Sequence, residues 1–433
     1  MNKIRQYFTT FVLIRGFFIA LLGSAFIYLN YFDFSVAWMN TLLGIASLYL
    51  LLQSETKIWF ISGAFFGLFW FWWIALSLIH YDMVWAAPIE ILIIMLTYGI
   101  LFAFISWLSE KIAYSFVGVS APRPTLLSLV LKAVGLLALS YIHPFSFDWF
   151  KPELMFVESY VGIEKWQFGI VLVGIVLTLW QRKRYYLLCI LFAYTPLPTH
   201  TPQIPKDIAL VTTHTSVHDK WNKALHQAQF DALFKQIDEA ITNKKKLVIL
   251  PESVFPIFLN RDQMLLTKLQ ERAKHISIIT GGLYWDGKTP RNSTYIFTNG
   301  QVSIANKVLL VPFGEANPLP DFLSDWVNEV FYDGAVDYKA SDKVIDYKID
   351  GITYRNAICF EATSEKLYEK DKEGHHPKNM IVLSNNGWFH PSIESSLQKL
   401  LLEYYSKKYG TTIYHAINMS GSYVIHKGIT FTP

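Results

Sequence analysis

Cysteine, charge and turn residues are all scarce in this sequence, and each shortage removes a class of protein. With two cysteines in 433 residues, Cys189 and Cys359, a disulfide framework is excluded. Charged residues reach 17%, where soluble domains usually hold about 25%, so a single ordinary globular domain is excluded as well. Glycine (23) and proline (18) are too few for a collagen-like or low-complexity chain. The formal net charge of +4 is small and dispersed, so nucleic acid is not an expected partner. What the chain does have is apolar surface. Hydrophobic residues make up 52% and aromatics 16%, which excludes disorder.

The charge deficit is confined to one part. Residues 1–198 hold 21 charged side chains, about 11%, and ten of the 14 tryptophans. Residues 199–433 hold 51, about 22%, which is normal for a soluble domain. Two domains in series are expected: a transmembrane domain at 1–198 and a globular domain at 199–433.

A membrane-crossing helix needs roughly 20 mostly apolar residues, and 11–31, 34–52, 59–80, 83–107 and 125–142 each meet that standard. Two shorter runs, 166–180 and 185–196, flank Gln181-Arg-Lys-Arg184, so five to seven spans are expected. The first run is too long for a signal-peptide core and has no small-x-small cleavage site, and so reads as an uncleaved anchor. Lys3, Arg5, Lys57, Lys111, Arg123 and residues 182–184 fall on one side; Asp33, Asp82 and the acid-rich loop 144–165 fall on the other. Positive residues stay in the cytoplasm, which places the globular domain on the extracytoplasmic face. Trp59 and Phe69-Trp-Phe-Trp-Trp73 read as interfacial anchors or, alternatively, as a lipid-lined groove. Glu90 and Lys132 lie within spans, where an ionisable group is a functional candidate, although sequence names no partner. Cys189, inside an apolar run, reads as a small buried hydrophobe.

After the Pro-rich joint at 196–205, strand-like runs at 208–211, 247–250, 276–280, 294–298, 302–305, 345–349, 353–359, 380–384 and 413–418 alternate with helical patterns. The helical patterns cover 221–242, 261–275 and 393–409. Asn299-Gly300 and Asp350-Gly351 have the chemistry of tight hairpin turns. This alternation predicts a layered α/β domain, in which functional side chains sit just past strand ends.

Three strand ends carry reactive groups. Leu247-Val-Ile-Leu-Pro-Glu252 places a carboxylate after a strand-breaking proline. Ala305-Asn-Lys307 ends a strand with a lysine and runs through Val311-Pro-Phe-Gly-Glu315 to a second carboxylate. Ala357-Ile-Cys359-Phe-Glu361 ends a strand with a thiol beside a third. Taken singly, such a Glu or Lys is usually solvated and such a Cys usually packs in a core. Together they are complete for acyl transfer. A thiol needs a neighbouring base or cation to become an effective nucleophile. A Glu in low dielectric can take its proton, and an ammonium can stabilise an oxyanion. By contrast, His214 with His218, and His375 with His376, show no completing metal-ligand set.

The order Glu252 in Leu-Pro-Glu-Ser, Lys307 in Asn-Lys-Val-Leu-Leu-Val-Pro-Phe-Gly-Glu and Cys359 in Ile-Cys-Phe-Glu resembles the Glu-Lys-Cys triad of the nitrilase (carbon–nitrogen hydrolase) superfamily. Ser384-Asn-Asn-Gly-Trp-Phe389 is similar to that superfamily's strand-end motif after the cysteine. Set behind a polytopic membrane block, and with Lys220-Trp221 also similar, the pattern resembles the bacterial apolipoprotein N-acyltransferases over nearly the whole chain. The resemblance implies an α-helical polytopic membrane domain plus an α/β domain, a nitrilase-like α-β-β-α sandwich. It further implies Glu252 as general base, Cys359 as nucleophile and Lys307 as oxyanion stabiliser, with a backbone N–H near Phe360 as co-donor. Glu315 would hold Lys307 or polarise the site, Glu361 would support the cysteine strand, and Trp221, Trp388 and Trp326 would touch substrate. The implied cycle is ping-pong. A membrane phospholipid acylates Cys359, and the thioester then passes its acyl chain to the α-amine of a lipoprotein's N-terminal diacylglyceryl-cysteine. Both lipids would be met at the outer face of a bacterial inner membrane, with no cofactor and no metal.

Several positions depart from that family's pattern. Val211-Thr-Thr-His stands for Val-Gln-Gly-Asn, Phe360 for a common Tyr, and Lys407-Lys-Tyr409 for an Arg-Ala…Glu pattern. Asn418-Met-Ser-Gly421 matches Asn-x-Gly only loosely, and no counterpart of the family's last spanning helix precedes Pro433. A divergent branch is expected. Phe322, Leu323, Trp326, Val327, Val330 and Phe331 share one helical face, which reads either as a lid dipping into the bilayer or as a core-packed helix. Two other functions stay open at this point. One is a membrane-tethered amidohydrolase of nitrilase type, whose thioester would be open to water. The other is a non-catalytic scaffold, which would have no use for the triad.

Overall fold

The computed structural model describes residues 9–117, 125–197, 205–312, 314–316 and 338–432. The chain divides into two compact units, Met1–Thr199 with Pro391–Leu400, and His200–His390 with Leu401–Pro433.

In the first unit the apolar runs become helices. Thr10–Tyr31, Thr56–Tyr81 and Val84–Phe116 are long and apolar enough to cross a membrane, by length and composition. Ala37–Leu52, Leu126–Tyr141, Lys165–Gln181 and Arg184–Ala193 are apolar but shorter. Two of the five runs expected to span therefore form shorter helices. One starts only at Ala37, and the other tightens into a 3-10 turn at Leu139–Tyr141. Helices Thr56–Phe71 and Ala87–Val117 meet closely at Gly63, where a Cβ would sit 2.5 Å from the Tyr98 carbonyl oxygen. Such small-residue contacts drive helix association in lipid.

Trp59, Trp70 and Trp73 are buried. Trp70 Nε1 donates to Ser24 Oγ (3.1 Å) and Trp73 Nε1 to the Trp70 carbonyl (2.7 Å). These three are neither interfacial anchors nor a lipid-lined groove; they belong to a buried aromatic core, in which the Trp70 and Trp73 N–H groups are satisfied internally. The stretch 144–165, expected as an outer loop, also packs inward. Phe150 lies among Phe66, Trp70, Phe71, Tyr98 and Phe102, with ring centroids 4.8 to 6.5 Å apart. Buried Glu153 accepts from Ser140 Oγ (2.6 Å) and pairs with Lys165 Nζ (2.5 Å). Glu158 accepts from Asn30 Nδ2 (2.9 Å) and Ser35 Oγ (2.5 Å). Ionisable groups within a membrane domain are tolerated where they pair in this way. Lys132 gains the partner that sequence did not name: Nζ lies 2.8 Å from Glu110 Oε1 and 2.9 Å from the Ser54 carbonyl. Cys189 is half-buried, not fully buried.

The second unit holds two six-stranded sheets. The first comprises β1 (Ile208–Leu210), β2 (Leu247–Ile249), β3 (Phe255–Phe258), β4 (Ser277–Trp285), β5 (Pro290–Thr298) and β6 (Gln301–Asn306). Its order is β1-β2-β4-β5-β6, with β3 also paired to β4. The second comprises β7 (Asp346–Ile349), β8 (Ile352–Ile358), β9 (Asn379–Asn385), β10 (Thr412–Asn418), β11 (Tyr423–His426) and β12 (Ile429–Phe431), ordered β12-β11-β10-β9-β8-β7. Between the sheets, Leu247, Ile249, Ile279 and Ile296 pack with Tyr354, Ile381, Leu383 and Tyr414. On the far side of the first sheet, Phe234 and Ile237 of helix His226–Thr242 and Leu265 and Leu269 of helix Gln263–Arg272 cover Val248, Ile278 and Phe297. Helix Glu394–Tyr409 is the crossover between parallel β9 and β10. A crossover must lie on a sheet face, and the inner face is taken by the other sheet. The layers therefore run α-β-β-α, as the resemblance implied.

Both hairpin turns form where expected, with positive φ at Asn299 (+50°), Gly300 (+74°), Asp350 (+48°) and Gly351 (+80°), as tight antiparallel turns require. Strands β3, β11 and β12 were not anticipated. The helix expected over 221–242 starts only at His226 and runs to Thr242, and a separate short helix, Val217–Trp221, precedes it. Asn222 Oδ1 accepts from Ala224 N (3.1 Å), the local side-chain bond that competes with continuous helix.

Candidate active site

The site is assembled from the ends of β2, β6 and β8. After β2, Pro251 ends the ladder, and Glu252 follows with its side chain almost wholly buried. The turn rests on β4 at Gly281, where a Cβ would fall 2.4 Å from Ser253 N and 2.7 Å from Glu252 Cα. Only a glycine admits so close a backbone. Burial raises the Glu252 pKa above the usual carboxylate range, although Lys307 pulls against it.

Lys307 follows β6 and is buried. Its Nζ lies 2.7 Å from Glu315 Oε2, which also accepts from Val311 N (2.9 Å). Burial disfavours the ammonium, but Glu315, Glu252 and Cys359 outweigh it and hold the lysine charged, well above its ordinary range. Asn292 of β5 joins the two carboxylates: Nδ2 donates to Glu252 Oε1 (2.7 Å) and to Glu315 Oε1 (2.8 Å). Sequence reading passed over Asn292. Its signal was the hairpin register, because Thr298 pairs with Gln301 and counting back reaches Ser293 opposite Asn306. The next step sets Asn292 against Lys307, whose N–H donates to the Asn292 carbonyl (2.9 Å).

Cys359 ends β8 with φ +52°, a left-handed conformation rare for a side chain of this kind, and opens the 3-10 turn Cys359–Thr363. Such a strained turn holds a reactive group clear of its strand. Beneath it, Glu361 is fully buried and ties two strand ends together. Its Oε1 accepts from Ile358 N (2.8 Å), and its Oε2 accepts from Val308 N (2.7 Å) and Leu309 N (3.1 Å). Burial lifts its pKa to about 7, against the pull of Lys307 and those three N–H groups. Phe360 packs its ring into the interior.

Two of the three tryptophans fall within the described residues. Trp388 is half-buried in the turn after β9, and Trp221 is exposed at the end of its short helix. Trp326, together with the whole apolar face 322–331, lies outside the described residues. Beside Trp221, Lys220 is 2% exposed, and its Nζ donates to the Glu252 carbonyl (3.3 Å). The departures at Thr213 and Asn418 are mutually consistent. Asn418 Oδ1 accepts from Thr213 Oγ1 (2.8 Å), and Asn418 Nδ2 donates to Asn385 Oδ1 (2.7 Å). This network locks the ends of β9 and β10. Away from the site, Asp371, Glu373 and His375 bring ligand atoms within 4.8 Å of one another at an exposed turn. Asp371 Oδ1 already accepts the N–H groups of Glu373 and His375 there (both 2.9 Å).

A buried carboxylate, a charged lysine and a thiol on a strained turn form a set suited to nucleophilic acyl chemistry. The family model of the apolipoprotein N-acyltransferase integral membrane domain matches residues 10–197, which makes this a multi-pass membrane protein. The chain is 37% identical to the apolipoprotein N-acyltransferase of Wolinella succinogenes, over 94% of both chains. It is 35% identical to that of Campylobacter jejuni, over 98% of this chain and 92% of that one. Among solved structures, a CN-hydrolase superfamily protein from Xanthomonas campestris is similar at 18% identity and a TM-score of 0.39, covering 52% of this chain and 85% of that one. At 37% identity along almost the full length of both chains, this protein belongs to the apolipoprotein N-acyltransferase family.

Proposed function

We propose that this chain moves an acyl chain from a membrane phospholipid to the α-amine of a lipoprotein's N-terminal diacylglyceryl-cysteine, by way of a thioester on Cys359. The observation that carries the reading is the buried Glu252–Asn292–Glu315–Lys307 network whose charges act on Cys359, in a chain so similar to named N-acyltransferases. Glu252 takes the thiol proton as the sulfur attacks the ester carbonyl. Lys307, kept charged by Glu315, stabilises the tetrahedral oxyanion with a backbone N–H near Phe360. The attack has already made the S–C bond; collapse re-forms the carbonyl, breaks the ester C–O bond and leaves the thioester, and the lysophospholipid departs with the proton from Glu252. The acceptor amine then attacks the thioester, an amide forms, and Glu252 receives the amine proton as the thiolate departs.

Trp221, Trp388 and Trp326 are assigned to lipid contacts, and Glu361 to holding the Cys359 and Lys307 ends together. Residues 1–198 would form the transmembrane domain and 199–433 the catalytic one. The positive residues on one side of the membrane domain support an inner-membrane protein with its second unit on the outer face.

Mass spectrometry of the full chain after incubation with phospholipid tests the proposal. One fatty acyl mass should appear on Cys359, be absent in Cys359→Ser and disappear on adding a diacylated lipopeptide. Free fatty acid released at the same rate without lipopeptide would instead indicate a hydrolase.

A further inference from the structure

Lysine is almost never fully buried unless a carboxylate pairs with it, yet Lys220 is 2% exposed and joins no ion pair at contact distance among the described residues. The one described hydrogen bond of its ammonium goes to a main-chain oxygen, that of Glu252, at 3.3 Å. The short helix carrying it, Val217–Trp221, is fixed at both ends. Before it, Thr215 N donates to Asn418 Oδ1 (2.9 Å) and the Thr215 carbonyl accepts from Asn418 Nδ2 (2.8 Å), at the end of β10. After it, the His226 ring donates to the Lys220 carbonyl through Nε2 (3.1 Å). Within it, Val217 lies over Gly387, where a Cβ would meet Val217 Cγ2 at 3.4 Å. Gly387 follows β9, which pairs in parallel with β8, the strand that Cys359 follows. Lys220 is thus held across the strand ends that carry Glu252 and Cys359.

We propose that Lys220 is a positioning residue for this site: its buried ammonium fastens the Glu252 turn and supplies, beside Lys307, a second positive charge that stabilises the Cys359 thiolate. The inference rests on the reading of Cys359 as the nucleophile. The thiol proton still passes to Glu252, and Lys220 neither gives nor takes one in that step. The charged groups that act on its ammonium are Glu252 and Cys359, and Glu252 in turn feels Lys307 and Glu315. His226 meets only its carbonyl, and Asp219 turns outward to Ser216. Burial lowers the Lys220 pKa to about 8, while Glu252 and Cys359 hold it up.

The test is the rate of iodoacetamide alkylation of Cys359 from pH 5.5 to 9.5, in the detergent-solubilised full chain carrying Cys189→Ser. Lys220→Gln should slow alkylation near neutral pH about tenfold, the thiolate lost for one unit of thiol pKa. Lys220→Arg, which stays charged, should remain within about twofold of the parent. Identical profiles for Lys220→Gln and the parent, at unchanged melting temperature, overturn the inference. So does Lys220→Arg reacting as slowly as Lys220→Gln. If Lys220→Gln does not fold, Lys220→Arg still decides. Discharge of the native lysine should broaden the alkaline limb, and arginine should sharpen it; equal breadth in both overturns the proposal. A Cys359 that alkylates as expected but never accepts an acyl chain removes the proposed function and leaves the role of Lys220 standing.

Discussion

Lys307 Nζ lies 2.7 Å from Glu315 Oε2, with the lysine side chain 1% exposed and the glutamate 11%. Removing one partner of a buried pair strands the other charge, at a cost of roughly 3–5 kcal/mol. Glu315→Ala should therefore lower the thermal stability of the detergent-solubilised protein by that order and abolish acyl-enzyme formation. An unchanged melting temperature would falsify the view that this pair is shielded from water.

Glu252 can act as a base only when ionised. Burial raises its pKa, so the ionised fraction falls at a higher pH than for an exposed glutamate, near 4.3. The single-turnover rate of acyl-enzyme formation should fall on acidification at a higher pH than an exposed glutamate would give, and rise as pH climbs through the raised value. Glu252→Gln keeps an acceptor for Asn292 but cannot take a proton, and should lose about 10²–10⁴ in rate. A rate flat down to pH 4.5 removes Glu252 as the base.

Gly281 bears on the site without touching substrate. In Gly281→Ala the new methyl would press on backbone atoms of Glu252 and Ser253 at 2.4–2.7 Å, and neither can move aside as a side chain tip does. The expected outcome is a stability loss of about 1–3 kcal/mol with a much larger fall in acylation rate. Stability and rate declining in step would mean that the methyl merely loosens the fold.

In the membrane unit, Lys132 is almost fully buried while its partner Glu110 is 44% exposed. The two truncations should differ. Glu110→Ala strands a buried ammonium and should cost about 3 kcal/mol or more. Lys132→Met fills the same space and leaves a carboxylate already in contact with its surroundings, at less than about 1.5 kcal/mol. Unfolding measured in detergent separates them, and equal losses would contradict the asymmetry.

The features that were legible in the sequence depend on neighbours in the chain. Asn299-Gly300 and Asp350-Gly351 turn as their residues require, because positive φ is a local property. Pro251 ends β2 because proline cannot extend the ladder. Asn292 was legible in principle, since hairpin register follows from the turn. The inward packing of residues 144–165 was not. A buried, paired Glu153 and a solvated one look alike in a charge tally, and the partner Lys165 differs in sequence from a surface lysine by nothing. Trp59, Trp70 and Trp73 show the same limit, because an aromatic run suits an interface or a core equally well.

By itself, the sequence determined that an apolar helical part precedes an α/β part, and which strand ends carry Glu252, Lys307 and Cys359. Periodicity, turn chemistry and residue type are written locally. Only the tertiary structure decided that Asn292 bridges two carboxylates, that Gly281 lets the Glu252 turn sit against β4, and that Lys220 is a buried cation. These outcomes depend on sheet pairing between residues far apart in the chain. They depend also on burial, which turns ordinary side chains into a shared electrostatic site.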